Sequence, residues 1–334
     1  MSKITIQELN EDDFKKWDAI VDRSPQGTIF HSFKWLKIIE KHTSSQLYLV
    51  AGYSGNEPIA AIPFFYRKRG FFNIVSSPMG TTLIPYLGPV FPDYTLHKQY
   101  KREFYFREFQ KELDGFLIQN LKPDSISIIT SPNLLDVRPF IWNDYQVIPK
   151  YNYIRDITNL DSVWNGFKKE LRKNIEKVKN EGYVVEQAGL EGYQFIAESI
   201  SRRFDEQEME FSVSNEYLLD IFNAFYPDNL QIFIVKIAGK PISGIVVTRF
   251  RDTFSLWIGA TQAGIKGIYP VDFLQWKIIE WGKMNGYKKC EISGANVPSI
   301  SYFKSRYNFD LEIYYSVKKN LGIYRNLNPM LSYF

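Results

Sequence analysis

The residues whose type and spacing could do chemistry are mostly cations. Lys168, Arg172 and Lys173 fall beside an apolar stripe of Trp164, Phe167, Leu171, Ile175 and Val178, with Lys177 and Lys179 further along. A basic helix face of this kind can hold the phosphates of a tRNA end, a nucleotide sugar or coenzyme A. It is equally the ordinary solvated face of a Lys-rich helix. A second basic pair, Lys304 and Arg306, stands in the run Phe303-Lys-Ser-Arg. A cation or N–H pair fixed beside a reacting group can stabilise negative charge that builds in a transition state. A carboxylate could take a proton from an attacking nucleophile, but spacing singles out none of Asp144, Asp272 and Glu291. His31, His42 and His97 lie far apart in no ligand spacing, which argues against a metal site and a Ser-His-Asp hydrolase.

Such groups need rigid elements to hold them. Val271, Leu274, Ile278 and Trp281 recur at three- and four-residue spacing, one face of a helix that Pro270 can open and Gly286 can stop. Lys288–Ser293 reads as a short strand. Gly294 then opens a loop that delivers Phe303 and Lys304 to a last strand. Ser32 is an N-cap candidate for a helix burying Trp35, Ile38 and Ile39. Gln46–Tyr53 and Pro58–Arg67 predict a hairpin around Ser54-Gly-Asn-Glu. A long helix, about His97–Asn120, and a strand, Ile126–Ile129, follow. The basic-aromatic run Arg67-Lys-Arg with Phe71-Phe72 could be a membrane or RNA contact, but such a run is more often a strand end and its solvated turn, the reading favoured here. A Gly-rich turn, Ala263–Gly267, is a weak phosphate-cradle signal.

The second half repeats the first. Ser125–Asn133, Phe140, Tyr145 and Lys150–Ile154 can be laid over Cys290–Asn296, Phe303, Tyr307 and Ile313–Val317. Each copy reads hairpin, long helix, strand, loop, aromatic, strand, so the chain is two tandem copies of one mixed α/β unit. The expected lobes are residues 1–157 and 158–317, with the aromatic tail 318–334 docked on the first.

With 334 residues there is room for two domains, and 45% apolar content supports a real core in each. A net charge of +4 permits an anionic substrate without demanding nucleic acid, so DNA is not expected as a partner. The single cysteine, Cys290, leaves no internal disulfide. No apolar signal core or membrane-length run stands out. The expectation is a cytoplasmic protein with at most peripheral membrane contact.

The Leu274 to Lys304 stretch also carries a family resemblance. Leu274, Trp276, Ile279, Trp281, Gly282, Gly286 and Gly294, followed by Phe303-Lys304, resemble the Fem-type transferases. These add amino acids from aminoacyl-tRNA to peptidoglycan precursors. The pattern is similar also to the BioF2-like and CelD-like acetyltransferases of the wider GNAT superfamily. The departures are Cys290-Glu-Ile for the usual aromatic-Asp-Phe, and Asn308 for a final glycine. The run Leu171-Arg-Lys-Asn-Ile and the Pro85-Tyr-Leu-Gly-Pro segment fit the same pattern.

The resemblance implies tandem duplicated GNAT-like lobes with a shared cleft. It implies an N-acyltransferase that forms an amide on an amine of a cell-envelope precursor, sugar nucleotide or related metabolite. It makes Lys304 the catalytic cation. Lys37, Tyr86, Arg172, Asn174, Tyr302 and Arg306 become the candidate substrate-binding residues. The co-substrate would be acyl-CoA or aminoacyl-tRNA, with no tightly bound cofactor. The partner would be an anionic small molecule, nucleotide- or lipid-linked, with tRNA as the alternative donor. Ser214 stands near where Fem-type enzymes carry an acceptor-binding arginine, which weakens the case for a UDP-linked muropeptide. The altered strand at Cys290–Ser293 keeps a second reading open, a non-catalytic duplicated-GNAT module that binds an anionic ligand.

Overall fold

In the computed structural model the chain divides into two units, residues 1–150 with 313–334, and residues 151–312. The structure describes residues 3–80, 82–206, 213–261, 269–322 and 324–327. The strands are β1 (Ile4–Leu9), β2 (Gln46–Ser54), β3 (Glu57–Arg69), β4 (Phe72–Ser77), β5 (Ser125–Ile129), β6 (Gln146–Asp156), β7 (Val184–Ala188), β8 (Leu230–Ile237), β9 (Lys240–Phe250), β10 (Thr253–Thr261), β11 (Lys289–Ile292) and β12 (Asp310–Asn320). The helices are α1 (Phe14–Arg23), α2 (Phe33–His42), α3 (Gln99–Asn120), α4 (Arg138–Trp142), α5 (Leu160–Gly166), α6 (Lys169–Asn180), α7 (Leu190–Glu206), α8 (Asn215–Phe225), α9 (Pro270–Met284), α10 (Pro298–Lys304) and α11 (Tyr324–Leu327). Among the described residues no helix is long and apolar enough to cross a membrane.

The first unit orders its strands β1-β2-β3-β4-β5-β12, the second β7-β8-β9-β10-β11-β6. In both, the first three pairings are antiparallel, the fourth is parallel and the fifth is antiparallel. Parallel neighbours cannot be joined by a tight turn. Each unit therefore spends a long helix on that crossover, α3 between β4 and β5, and α9 between β10 and β11.

The last strand of each copy pairs away from the rest of its copy. β12 lies beside β5, with Val317 opposite Ile128, and β6 lies beside β11, with Tyr153 opposite Ile292. The boundaries expected at 157/158 and 317/318 therefore fall at 150/151 and 312/313, inside β6 and β12. Alternation of apolar residues says that a strand exists, not which ladder it joins.

Each unit has its own core. Phe64, Phe91, Phe106, Phe109 and Phe140 are buried together in the first. In the second, Leu171, Ile175 and Val178 of α6 meet Leu274, Ile278 and Ile279 of α9 over Phe254 and Tyr307. The α6 stripe is the one read from spacing. The buried face of α9 is wider, since Asp272, Phe273 and Gly282 are buried too. Gly282 has a packing reason, because a Cβ there would stand 2.1 Å from the Phe254 ring. The tail begins against the first unit, where Tyr324 meets Phe72 edge-on at 4.9 Å. Residues 328–334 lie outside the described residues, as does the Ala263–Gly267 turn.

Candidate active site

The second unit holds two polar clusters in an otherwise apolar surround. The first is built on Asp272, in the opening turn of α9 and fully buried. Arg306 grips its carboxylate with two nitrogens, at 3.0 and 3.3 Å. The Tyr307 hydroxyl donates at 2.9 Å, and the Asn174 amide donates at 3.0 Å. Asn174 also donates to the Tyr269 carbonyl at 3.0 Å and accepts from the Tyr269 N–H at 3.3 Å. The N-cap of α9 is Tyr269, which has no capping side chain of its own, so Asn174 of α6 ties down that end instead. Burial pushes the Asp272 carboxyl up, while Arg306, Tyr307 and Asn174 pull it back. The Tyr307 hydroxyl, buried beside that carboxylate, is pushed well up.

The second cluster lies at the end of the parallel β10–β11 pair. Glu291 of β11 is buried, as is Asn152 of β6. The Glu291 carboxylate accepts from Asn152 at 2.7 Å, from the Ser255 hydroxyl of β10 at 2.8 Å and from the Ser293 hydroxyl at 3.3 Å. Asn152 in turn accepts from the Gly294 N–H at 3.0 Å. Three strands and the loop after β11 thus share one hydrogen-bond network, which fixes the loop where Lys304 arrives.

Lys304 closes this cluster. It is the last residue of α10, a short helix where the sequence suggested a loop. Its ammonium donates to the carbonyls of Ser293 and, at 3.4 Å, Gly294. Gly294 has φ +88°, and a Cβ there would lie 3.4 Å from the lysine nitrogen. Burial pushes the Lys304 ammonium from 10.5 down to about 8, with Glu291 opposing. Near neutral pH it remains mainly a cation. Two carbonyls occupy two of its three N–H groups, which leaves one to donate elsewhere. Glu312 of β12 is pushed up to about 7 by burial and by Glu291, with Lys289 opposing.

The β10–β11 ladder runs from Thr253–Lys289 to Leu256–Ile292 and stops. β10 continues to Thr261 against β9, with an irregularity between Leu256 and Ile258. The parallel ladder ends with β11 at Ile292, next to Glu291 and to the Ser293 and Gly294 carbonyls that hold Lys304.

The other expected site residues are placed differently. Lys37 is ion-paired with Glu11 and Glu40 in the first unit. Tyr86, also there, is buried between Phe30 and Tyr314, at ring distances of 5.9 and 6.0 Å. Asn174 and Arg306 come together on Asp272. Tyr302 is 73% exposed, with the Lys168 ammonium 5.9 Å above its ring. The buried Nε of Arg172 has no hydrogen-bond partner among the described residues. Glu291, Asp272 and Asn152 were not singled out by sequence. Each interrupts an apolar or aromatic run, Cys-Glu-Ile, Val-Asp-Phe and Tyr-Asn-Tyr, and that interruption was the available signal.

Residues 165–304 match the acetyltransferase (GNAT) domain family. Among solved structures, FemX is similar over 98% of this chain and 99% of its own, with a TM-score of 0.70 and 13% identity. The C-terminal domain of a putative lysylphosphatidylglycerol synthetase from Agrobacterium fabrum is similar over 96% of both chains, with a TM-score of 0.58 and 14% identity. A tandem GNAT protein from the clavulanic acid biosynthesis pathway aligns over 96% of this chain and 99% of its own, with a TM-score of 0.54 and 9% identity. No curated protein matches the sequence. The fold is shared with FemX and the tandem GNAT protein, and the match of residues 165–304 to the acetyltransferase (GNAT) domain supports an acyltransferase.

Proposed function

We propose that the protein forms an amide bond, moving an acyl or aminoacyl group from a thioester or ester donor to an amine of a cell-envelope precursor or sugar nucleotide. The observation that carries this reading is Lys304, a half-buried cation with a lowered pKa, held by two carbonyls just past the end of the β10–β11 ladder. The amine nitrogen attacks the donor carbonyl carbon, and the carbonyl π electrons move onto oxygen. The remaining N–H of Lys304 stabilises that oxygen. Collapse breaks the carbon–sulfur or carbon–oxygen bond, and the amine proton leaves with the thiol or hydroxyl formed.

β10 runs on to Thr261 beyond the end of its parallel partner at Ile292, which favours a donor with an extended, amide-bearing arm that can add to β10 as a further strand. Acyl-CoA has such an arm, and aminoacyl-tRNA is the alternative. Arg172, whose Nε has no partner among the described residues, and Lys168 beside Tyr302 supply positive charge for the phosphates of either substrate. Asn174 and Arg306 act through Asp272 as positioning residues, holding the start of α9 and the segment that carries Lys304. The similarity to a putative lysylphosphatidylglycerol synthetase supports an envelope role.

The direct test incubates the protein with acetyl-CoA, longer acyl-CoAs or charged tRNA, together with a panel of amine acceptors, and reads new amides by mass spectrometry. Product that forms with wild type and is lost in Lys304→Met supports the reading. Product formed equally by both variants overturns the assignment of Lys304.

A further inference from the structure

The β3–β4 hairpin of the first unit ends in a two-residue turn, Gly70-Phe71, closed by the pair Arg69 and Phe72. Gly70 has φ +60°, and glycine in the first central position is what the tightest hairpins ask for. Nothing in that geometry asks for an aromatic at the second position. Phe71 is nevertheless there, and its side chain is 100% exposed. Its neighbour Phe72 is used in the fold, against the ring of Tyr324 at 4.9 Å; among the described residues Phe71 has no such partner.

Cations surround this tip. Arg67, Lys68 and Arg69 end β3, and Lys68 and Arg69 are exposed. Pairing of Ile74 with Ser125 and of Ser125 with Asn320 puts the start of β5 and the end of β12 at the same end of the unit. Exposed Lys122 precedes β5, and exposed Arg325 follows β12. Among the described residues none of Arg67, Lys68, Arg69, Lys122 and Arg325 makes an ion pair, and the Arg67 Nε is buried without a partner. The acid on this edge, Asp124, is engaged by the Asn73 N–H at 2.8 Å.

We propose that this hairpin docks the protein on an anionic lipid bilayer, with Phe71 entering the boundary between headgroups and acyl chains and Arg67, Lys68 and Arg69 at the level of the lipid phosphates. A protruding apolar ring backed by unpaired cations matches the order of layers in such a membrane. Single-stranded RNA is bound instead along a basic groove with several stacking rings, and a two-residue turn offers one ring and no groove. The inference does not depend on the acyl donor or on Lys304.

The test sediments the full chain with vesicles of phosphatidylglycerol and phosphatidylcholine, or of phosphatidylcholine alone, at low salt. Wild type is expected to bind only the anionic vesicles, and raised salt should release it. Phe71→Ser should weaken partitioning about ten- to a hundredfold. Lys68→Gln combined with Arg69→Gln should weaken it by about fivefold per charge removed. Leu96→Ser, which removes an equally lone side chain that is 79% exposed elsewhere on the unit, should change nothing. All sites are on the surface, so thermal unfolding should match wild type. Undiminished binding of Phe71→Ser, equal binding to neutral vesicles, or a Phe71→Ser defect confined to tRNA binding would each overturn the proposal.

Discussion

The two units have one strand order and differ where their parallel pair ends. In the first, the chain itself continues the sheet. The Leu87 N–H donates to the Ile129 carbonyl at 2.8 Å, Leu87 bridges Thr130, and Val90 bridges Ala61 of β3. Tyr86, Leu87 and Val90 are buried there. Gly88 has φ +86°, and a Cβ would lie 2.9 Å from the Thr130 Cα, so the segment fits only with its glycine. In the second unit the matching place holds Glu291, Asn152, Ser255, Ser293 and Lys304. When the copies are aligned on Ile129 and Ile292, Glu291 replaces Ile128 and Lys304 replaces Ile141. Among the described residues the duplicated fold thus carries an apolar version of this location, filled by its own chain, and a polar version. Buried polar groups are costly unless paired, and the second unit retains a full network of them.

The contrast can be broken at several points. Each unit has a carboxylate tied to a tyrosine and a cation, Asp272 with Tyr307 and Arg306, and Asp114 with Tyr145 at 2.7 Å and Lys319 at 3.3 Å. Asp272→Ala strands a half-buried guanidinium and frees the start of α9, so it should cost about 3–5 kcal/mol in urea unfolding. Asp114→Ala, at a carboxylate slightly more exposed and with Lys319 held less closely, should cost less. Equal losses would mean that the two knots are the same structural device.

Lys304→Met should lower kcat about 100- to 1000-fold, some 3–4 kcal/mol of barrier, with KM and folding little changed. Ile141→Ala, at the matching position of the first unit, should leave kcat alone. On the proposed reading the working form of Lys304 is protonated, and burial pushes its pKa down to about 8, so the wild-type rate should fall as pH rises through about 8. A profile flat to pH 9 would remove Lys304 from the chemistry.

Gly282→Ala should cost about 1–3 kcal/mol, because the new Cβ would stand 2.1 Å from a fully buried Phe254 ring. Gly52→Ala in the first unit, 2.5 Å from the Phe109 ring, should cost somewhat less. Chemical denaturation of both variants ranks the tightness of the two cores.

The smallest effect concerns Glu312. Its folded pKa of about 7 lies above the ordinary 4.5, so the native state holds more protons between those values and stability should fall as pH rises through that window. Glu312→Gln should flatten that part of the stability profile without altering the alkaline limb of activity. An unchanged slope would separate Glu312 from the Glu291 cluster.

Several features could be derived from sequence because their causes are local. Spacing marked the α6 stripe and the crossover helices, Gly55 and Asn56 marked the β2–β3 turn, and the recurring order of elements marked the duplication. Lys304 could be singled out because it stands in a short motif. Tertiary structure decided what depends on residues distant in the chain. It placed β6 beside β11 and β12 beside β5, a choice that rests on ladder partners about 140 and 190 residues away along the chain. It turned Asn174 into the cap of a helix nearly a hundred residues on and gathered Arg306 and Tyr307 on Asp272. It lowered the pKa of Lys304, because a pKa reflects desolvation and neighbouring charge, and both exist only once Glu291, Ser293 and Gly294 have been folded around the ammonium.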